Sequence, residues 1–155
     1  MVAKVAPGDV VSLNARSGLA LLQYVRYVRP YGALVRVLSG TYQSLPAELQ
    51  ALVNGRELFW GFVPLAPMID RGLVDYVGHY EVPEHARSMP LMRTPAGGLR
   101  SRRWWLWDGE KEWQVDRSDP LLPDASMKAA YNDTALIEAI EAGRTPRQEF
   151  ERWQD

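Results

Sequence analysis

Two histidines and two glutamates lie within seven residues of one another in this chain: His79, Glu81, Glu84 and His85. Imidazole and carboxylate groups are ligands for zinc and related metals, and a turn at Pro83 could bring them together. Their spacing matches no standard ligand pattern, and a strand that runs into a solvated loop has the same composition. We therefore expect no metal site, with His79, Glu81 and His85 as weak candidates.

Most of the residue patterns that support catalysis are missing from the sequence. The chain has no cysteine and two histidines, and it lacks the Gly-x-Ser-x-Gly, phosphate-loop, His-Glu-x-x-His and dinucleotide motifs. A serine–histidine pair stays open as a nucleophile–base arrangement. We expect no enzymatic activity, no catalytic residue and no cofactor.

The segment from Arg100 to Trp107 interleaves cationic and aromatic side chains. This mixture suits base stacking with phosphate neutralisation, and it equally suits a protein interface, where Trp and Arg dominate the binding energy. A core hairpin with a solvated basic lead-in is the third interpretation, and the acidic neighbourhood argues against nucleic acid. The residues that we expect to bind a partner are Arg100, Arg102, Arg103, Trp105, Trp107, Glu110 and Glu112.

Asp108-Gly109 within this region is a strong signal for a hairpin turn. If those two residues alone form the turn, Trp104 lies opposite Trp113. Alternation along the strands then predicts one buried and one outer face. The expected buried residues are Trp104, Leu106 and Trp113, and the expected outer or partner-facing residues are Trp105 and Trp107. The reverse facing stays open as the alternative.

Length and composition indicate one ordinary globular domain. The 155 residues are 46% hydrophobic and 24% charged, enough to bury about 70% of the unfolded surface around one core. Residues 1–60 carry a balance of +3 and residues 118–155 a balance of −4. No run is long enough to span a bilayer and no export signal opens the chain, so we expect a cytoplasmic protein that does not bind membranes.

The N-terminal third has the pattern of an antiparallel meander. Val10 to Leu13, Leu19 to Val28 and Ala33 to Leu38 are strand-like runs separated by turn residues. Both faces of the second run are largely apolar, which predicts a strand that is central or covered on both sides. The fold class expected is therefore α+β and β-rich, a small curled antiparallel sheet or SH3-like partial barrel with peripheral short helices.

Further elements follow from local signals. We expect a helix over Pro46 to Val53, a strand over Glu57 to Val63 and a loop through Ala66 to Gly72. A strand over Leu73 to Val82, in which Gly78 marks a bulge or a close backbone approach, and a short edge segment over Leu91 to Thr94 follow. Asn132 or Asp133 can cap a helix that ends at Gly143, and Thr145 begins a capping box. Phe150 and Trp153 should pack back onto the sheet.

The order of these motifs resembles the immunity protein 26 family of bacterial polymorphic toxin systems. The similar pieces, which span residues 7–116, are Gly8-Asp9-Val10, Ala20 to Val25, Gly32 to Leu38, Phe59 to Leu65, Val74 to Gly78, Val82-Pro83, Pro90 to Arg93 and Trp107-Asp108-Gly109. The resemblance implies a protein that binds and blocks a cognate toxin, and it transfers no catalytic residues.

The sequence thus predicts one domain over residues 1–155, with a β-rich core over 7–116 and a helical C-terminal tail over 117–155 that packs on it. The expected function is neutralisation of a cognate toxin protein through protein–protein contact. A nucleic-acid-binding barrel is the alternative, and the acidic tail is a second candidate interface. The oligomeric state stays open.

Overall fold

The computed structural model describes residues 4–154. The first sheet contains five strands, β1 (Asp9–Ala15), β2 (Gly18–Val28), β3 (Gly32–Val37), β4 (Phe59–Val63) and β5 (Val74–His79). The second sheet contains four, β6 (Met92–Pro95), β7 (Arg103–Trp107), β8 (Glu112–Asp116) and β9 (Ser126–Met127). The helices are α1 (Leu49–Asn54), α2 (Leu65–Asp70), α3 (Asp133–Ala142) and α4 (Pro146–Glu151), with a 3₁₀ turn at Glu84–Ala86.

The first sheet is antiparallel throughout, in the order β4-β3-β2-β1-β5. This arrangement confirms the predicted meander, with β2 as the central strand. On one side of β2, Leu22 packs in a core with α2 and α3, while Leu21 on the other side packs against α1. The apolar residues on both faces of this run are therefore explained by cover on both sides.

The second sheet has the order β8-β7-β6-β9, in which β9 runs parallel to β6. The chain that follows β9 continues to the first sheet, where Ala130 forms a parallel bridge with Phe62 and the Phe62 amide donates to the Ala129 carbonyl. The Ser126 hydroxyl also accepts a hydrogen bond from the Trp60 amide at 3.0 Å. The β-rich α+β class is confirmed, as two linked sheets whose described strands form no closed barrel.

Two local predictions differ from the structure. The segment predicted as a loop contains α2, in which Leu65 and Met68 are buried. Pro67 lies in the first turn of this helix, where a missing amide proton costs little, so its presence did not prevent a helix. The segment Leu91 to Thr94, predicted as an edge, has strands on both sides at Met92 and Arg93, where β9 pairs on the side away from β7. The bulge expected near Gly78 is present, as Val10 pairs with Gly78 and Val11 with Tyr76.

Both C-terminal helices begin at the expected residues, and α3 ends at the expected glycine. The Asn132 side chain accepts a hydrogen bond from the Ala135 amide at 2.8 Å, and Gly143 ends α3 with a φ of 64° in the left-handed region. Thr145 and Gln148 form the capping box of α4. Phe150 is buried with its ring centroid 5.5 Å from that of Trp104, so α4 packs on the second sheet.

Candidate functional site: the arginine–tryptophan hairpin

Strands β7 and β8 form the predicted hairpin, but with a longer connection. Trp107 pairs with Glu112, so four residues rather than two join the strands, and Trp104 lies opposite Val115 rather than Trp113. The Asp108 carboxylate accepts hydrogen bonds from the amides of Glu110 and Lys111 at 2.9 and 2.8 Å. These backbone donors hold the pKa of Asp108 below its usual range and stiffen the turn.

The prediction for the tryptophans on this hairpin is half correct. Trp104 and Leu106 are buried, as expected. Trp107 was expected on the outer side but is only 8% exposed, because its ring packs against Tyr31 and Phe62 of the first sheet. Trp113 was expected to be buried and is 36% exposed on β8, an outer strand of its sheet. Trp107 is therefore unavailable to a partner and Trp113 is available.

The three arginines proposed for the interface lie at the surface. Arg100, Arg102 and Arg103 are exposed, and none of them takes part in an ion pair among residues 4–154. Trp105 lies two positions after Arg103, on the same face of β7, and is partly exposed. The structure thus places three exposed arginines in and just before the strand that carries Trp105, which a partner could still cover. We call Arg100, Arg102, Arg103 and Trp105 the hairpin surface.

An acidic residue adjoins this surface. Asp116 is the cross-strand partner of Arg103. Hydrogen bonds from the Ser118 hydroxyl and amide lower the pKa of the Asp116 carboxyl, and the nearby charges of Arg102 and Arg103 lower it further. A carboxylate among the arginines reduces the attraction for a phosphate backbone, whereas a protein surface with both signs of charge is accommodated.

The two glutamates predicted as contacts have different surroundings. Glu110 is exposed in the turn. Glu112 lies 3.3 Å from the Lys128 amine, which is positioned 4.4 Å from the ring of Trp107 and 4.8 Å from that of Tyr31. Burial favours the neutral amine of Lys128, but hydrogen bonds to Tyr31 and Glu112 outweigh it and raise the pKa. Glu112 is therefore partly engaged by Lys128.

Sequence reasoning missed Tyr31 and Lys128 as neighbours of the hairpin. Tyr31 lies in the turn between β2 and β3, and Lys128 directly follows β9. Neither residue is close to β7 in sequence, and neither carries a local signal for its position. Only the packing of one sheet against the other brings them to Trp107.

The weak metal candidates do not converge. His79 Nδ1 lies 2.9 Å from the Asp9 carboxylate, Glu81 pairs with Arg87 at 3.1 Å, and His85 Nε2 lies 3.4 Å from Glu57. Across residues 4–154, the structure contains no group of three or more His, Cys, Asp or Glu side chains placed to hold a metal ion. Each candidate has instead a separate partner.

The acidic tail, proposed as a second interface, is largely engaged with the protein itself. Asp124 pairs with Arg147, Glu149 with Arg144 and Arg152, and the Glu141 carboxylate accepts from the Ser17 amide. These contacts leave fewer acidic groups for a partner. None of the helices in the described part of the chain is long and apolar enough to cross a membrane.

Comparison with family models, curated proteins and solved structures finds no match to this chain.

Proposed function

We propose that this protein is a cytoplasmic immunity protein that binds a cognate bacterial toxin and neutralises it by covering the toxin's active site. The motif order that resembles the immunity protein 26 family supports this proposal. The observation that carries it is the hairpin surface, in which three exposed arginines, without ion-pair partners among residues 4–154, lie in and just before the strand that carries the partly exposed Trp105. Tryptophan and arginine are the residues most enriched among interface positions that dominate binding energy.

Hydrogen bonds and packing hold the backbone beneath this surface, and a preformed surface loses less entropy when it binds a partner. Trp104 is 2% exposed and its indole donates a hydrogen bond to the Ser101 carbonyl at 3.0 Å, between Arg100 and Arg102. The Arg117 amide donates to the Arg102 carbonyl at 2.7 Å. The backbone that carries the three arginines is therefore fixed by the core and by β8.

The first experiment is a tagged pull-down from the source cells at moderate salt, with the eluate analysed for protein and for nucleic acid. The proposal expects one stoichiometric protein partner that survives nuclease treatment, and rescue of cell growth when the two are expressed together. Recovery of nucleic acid without a protein, with an affinity that falls steeply with salt, would replace the immunity function with nucleic-acid binding.

The binding face is then tested by substitution on the purified complex. We expect Arg102→Ala and Trp105→Ala each to weaken binding about 10-fold or more, the effect of losing an interface residue worth at least about 1.4 kcal/mol. Arg71→Ala is the matched control, because Arg71 is also exposed but lies between α2 and β5, next to the other sheet. Equal affinities of the three variants for the partner would show that the hairpin surface is not part of the interface.

A further inference from the structure

Strand β8 is the outer strand of the second sheet, with β7 on one side and no strand of residues 4–154 on the other. The hydrogen bonds at the two ends of β8 determine which of its residues bond to β7. The Arg117 amide donates to the Arg102 carbonyl, and the Asp108 amide donates to the Lys111 carbonyl. Because hydrogen-bonded positions alternate in an antiparallel pair, Trp113 and Val115 bond to β7, while Glu112, Gln114 and Asp116 direct their backbone groups outward.

Most of these outward groups have no partner in the part of the chain that the structure describes. The Asp116 carbonyl accepts from the Asp119 amide at 2.9 Å, which engages one of them. The amides of Glu112, Gln114 and Asp116 and the carbonyls of Glu112 and Gln114 remain free for another strand. The edge has no proline and no bulge to prevent pairing, and its side chains are exposed except for Val115.

The side chains along this edge have two different faces. Glu112, Gln114 and Asp116 lie on one face, with two carboxylates four residues apart. Trp113 lies on the other face, 36% exposed. An added strand would therefore meet the Glu112 and Asp116 carboxylates on one side of the sheet, where Lys128 pairs with Glu112 and Arg103 lies opposite Asp116, and an aromatic ring on the other.

We propose that β8 is the docking edge for an extended segment of the partner protein, which adds a strand to the second sheet. The inference rests on the proposed function and specifies how the partner is held. Charge complementarity defines the segment: Lys or Arg at two positions four residues apart, opposite Glu112 and Asp116, with apolar residues between them against Trp113. Backbone hydrogen bonds supply affinity and the alternating side chains supply specificity.

Self-pairing with a second copy of this chain brings like charges together in two registers of the edge. Antiparallel self-pairing centred on Gln114 places Glu112 opposite Asp116 twice, and like charges directly opposite one another destabilise a sheet. Pairing centred on Trp113 places Glu110 opposite Asp116, with the same result. The acidic pattern therefore selects a basic strand and opposes self-association.

The probe is the peptide acetyl-Lys-Val-Thr-Val-Lys-amide at millimolar concentration, with acetyl-Glu-Val-Thr-Val-Glu-amide as its charge-reversed control. We expect the basic peptide to shift the NMR signals of the Glu112, Gln114 and Asp116 amides and to slow their hydrogen exchange. The acidic peptide should bind at least about 10-fold more weakly, since it places like charges opposite one another. Equal binding of the two peptides, or no effect on these three amides, would overturn the proposal.

A pair of substitutions at one position isolates the backbone contribution. Gln114→Pro and Gln114→Ala lose the same side chain, but only the proline variant loses the outward amide proton, and β7 pairing does not use that amide. We expect the dissociation constant of Gln114→Pro for the basic peptide, and for a captured partner, to exceed that of Gln114→Ala about 10-fold. Thermal unfolding of both variants checks folding, and hydrogen exchange in the wild-type protein decides the matter if the proline variant does not fold.

The edge and the proposed function can fail separately. Peptide binding at β8, together with a pull-down that yields no protein partner, would support the edge proposal and contradict the immunity function. A protein partner whose affinity is equal for Gln114→Pro and Gln114→Ala, but lower for Arg102→Ala, would support the inhibitor function and contradict strand addition at β8.

Discussion

Two arginines are buried in this protein, one in each sheet, and they are stabilised in different ways. Arg36 in β3 is 0% exposed and Arg93 in β6 is 1% exposed. The Arg36 guanidinium donates to the Glu57 carboxylate at 2.7 Å, to the Gln23 side-chain oxygen at 2.5 Å and to the Gly55 carbonyl at 2.8 Å. Its charge is thus balanced by a carboxylate that is itself buried.

Arg93 has no ion-pair partner among the described residues. Its guanidinium donates to the carbonyls of Leu122, Pro123 and Pro146 at 3.2, 2.8 and 2.9 Å, and it lies 5.1 Å from the ring of Phe150. Its Nε has no acceptor. Burial lowers the pKa of Arg93 to about 10, and the negative charge of Glu149 only partly opposes this.

The two arginines therefore hold different parts of the protein together. The charge of Arg36 is neutralised within the first sheet and its adjoining loop, so it belongs to the β core. Arg93 binds dipoles from two segments far along the chain, at residues 122–123 and at the start of α4, so it anchors the C-terminal tail to the second sheet. A buried cation needs either an anion or several aligned carbonyls, and its removal has different consequences in the two cases.

The largest effect is expected for Arg36→Met. This change leaves the Glu57 carboxylate, 7% exposed, buried without its arginine, and the loss of one member of a buried pair costs about 3–5 kcal/mol. Urea unfolding measures the cost. The double variant Arg36→Met with Glu57→Met is the control and should recover a large part of the loss. A double variant no more stable than Arg36→Met would show that the stranded charge is not the cause.

Arg93→Met should cost less, about 1–3 kcal/mol, because it leaves unpaired carbonyls but no unpaired charge. The loss should also be local: limited proteolysis with trypsin should cut after Arg144 sooner than in the wild-type protein, as the tail loses its anchor. Arg147→Ala is the matched control, since its exposed ion pair with Asp124 is worth at most about 1 kcal/mol. A loss in the free energy of unfolding equal to that of Arg36→Met, with unchanged cleavage of the tail, would contradict the different roles of the two arginines.

Local features of this fold could be predicted from the sequence, and the long-range contacts of the two arginines could not. The caps at Asn132 and Thr145 were predictable because their partners lie three residues away. The central position of β2 was predictable because both of its faces are apolar. The partners of the arginines were not, since Arg36 reaches Glu57 across 21 residues and Arg93 reaches Pro146 across 53. No local pattern encodes those contacts.

The β7–β8 hairpin was predicted correctly only in part. Alternation correctly placed Trp104 and Leu106 on a buried face, because the faces of a strand follow from its period of two. The turn length was wrong, because the Asp108 carboxylate caps two amides of a four-residue connection that resembles an Asp-Gly turn in sequence. The burial of Trp107 depends on Tyr31 and Phe62 in the other sheet, so the partner-facing role predicted for it could not be checked from β7 alone.

The smallest expected effect concerns Tyr131, which lies in the same cavity as Arg93 and Glu149. Burial raises the pKa of the Tyr131 hydroxyl, the charge of Glu149 raises it further, and Arg93 opposes them. The folded-state pKa therefore lies above the unfolded value of about 10. The stability that comes from the neutral hydroxyl is fully present below pH 10 and is lost as the pH rises through the folded-state pKa.

Tyr131→Phe removes this titration and leaves the other alkaline transitions in place. The stability of the variant relative to the wild-type protein should consequently increase between pH 8 and pH 11, by less than about 1.4 kcal/mol per pH unit for a single proton. Urea midpoints of the two proteins across this range measure the difference. In the Arg93→Met background the increase should continue to higher pH, because the cation that lowers the Tyr131 pKa is absent. A difference that is constant with pH would mean that neither burial nor the charges of Glu149 and Arg93 shift the pKa of Tyr131 on folding.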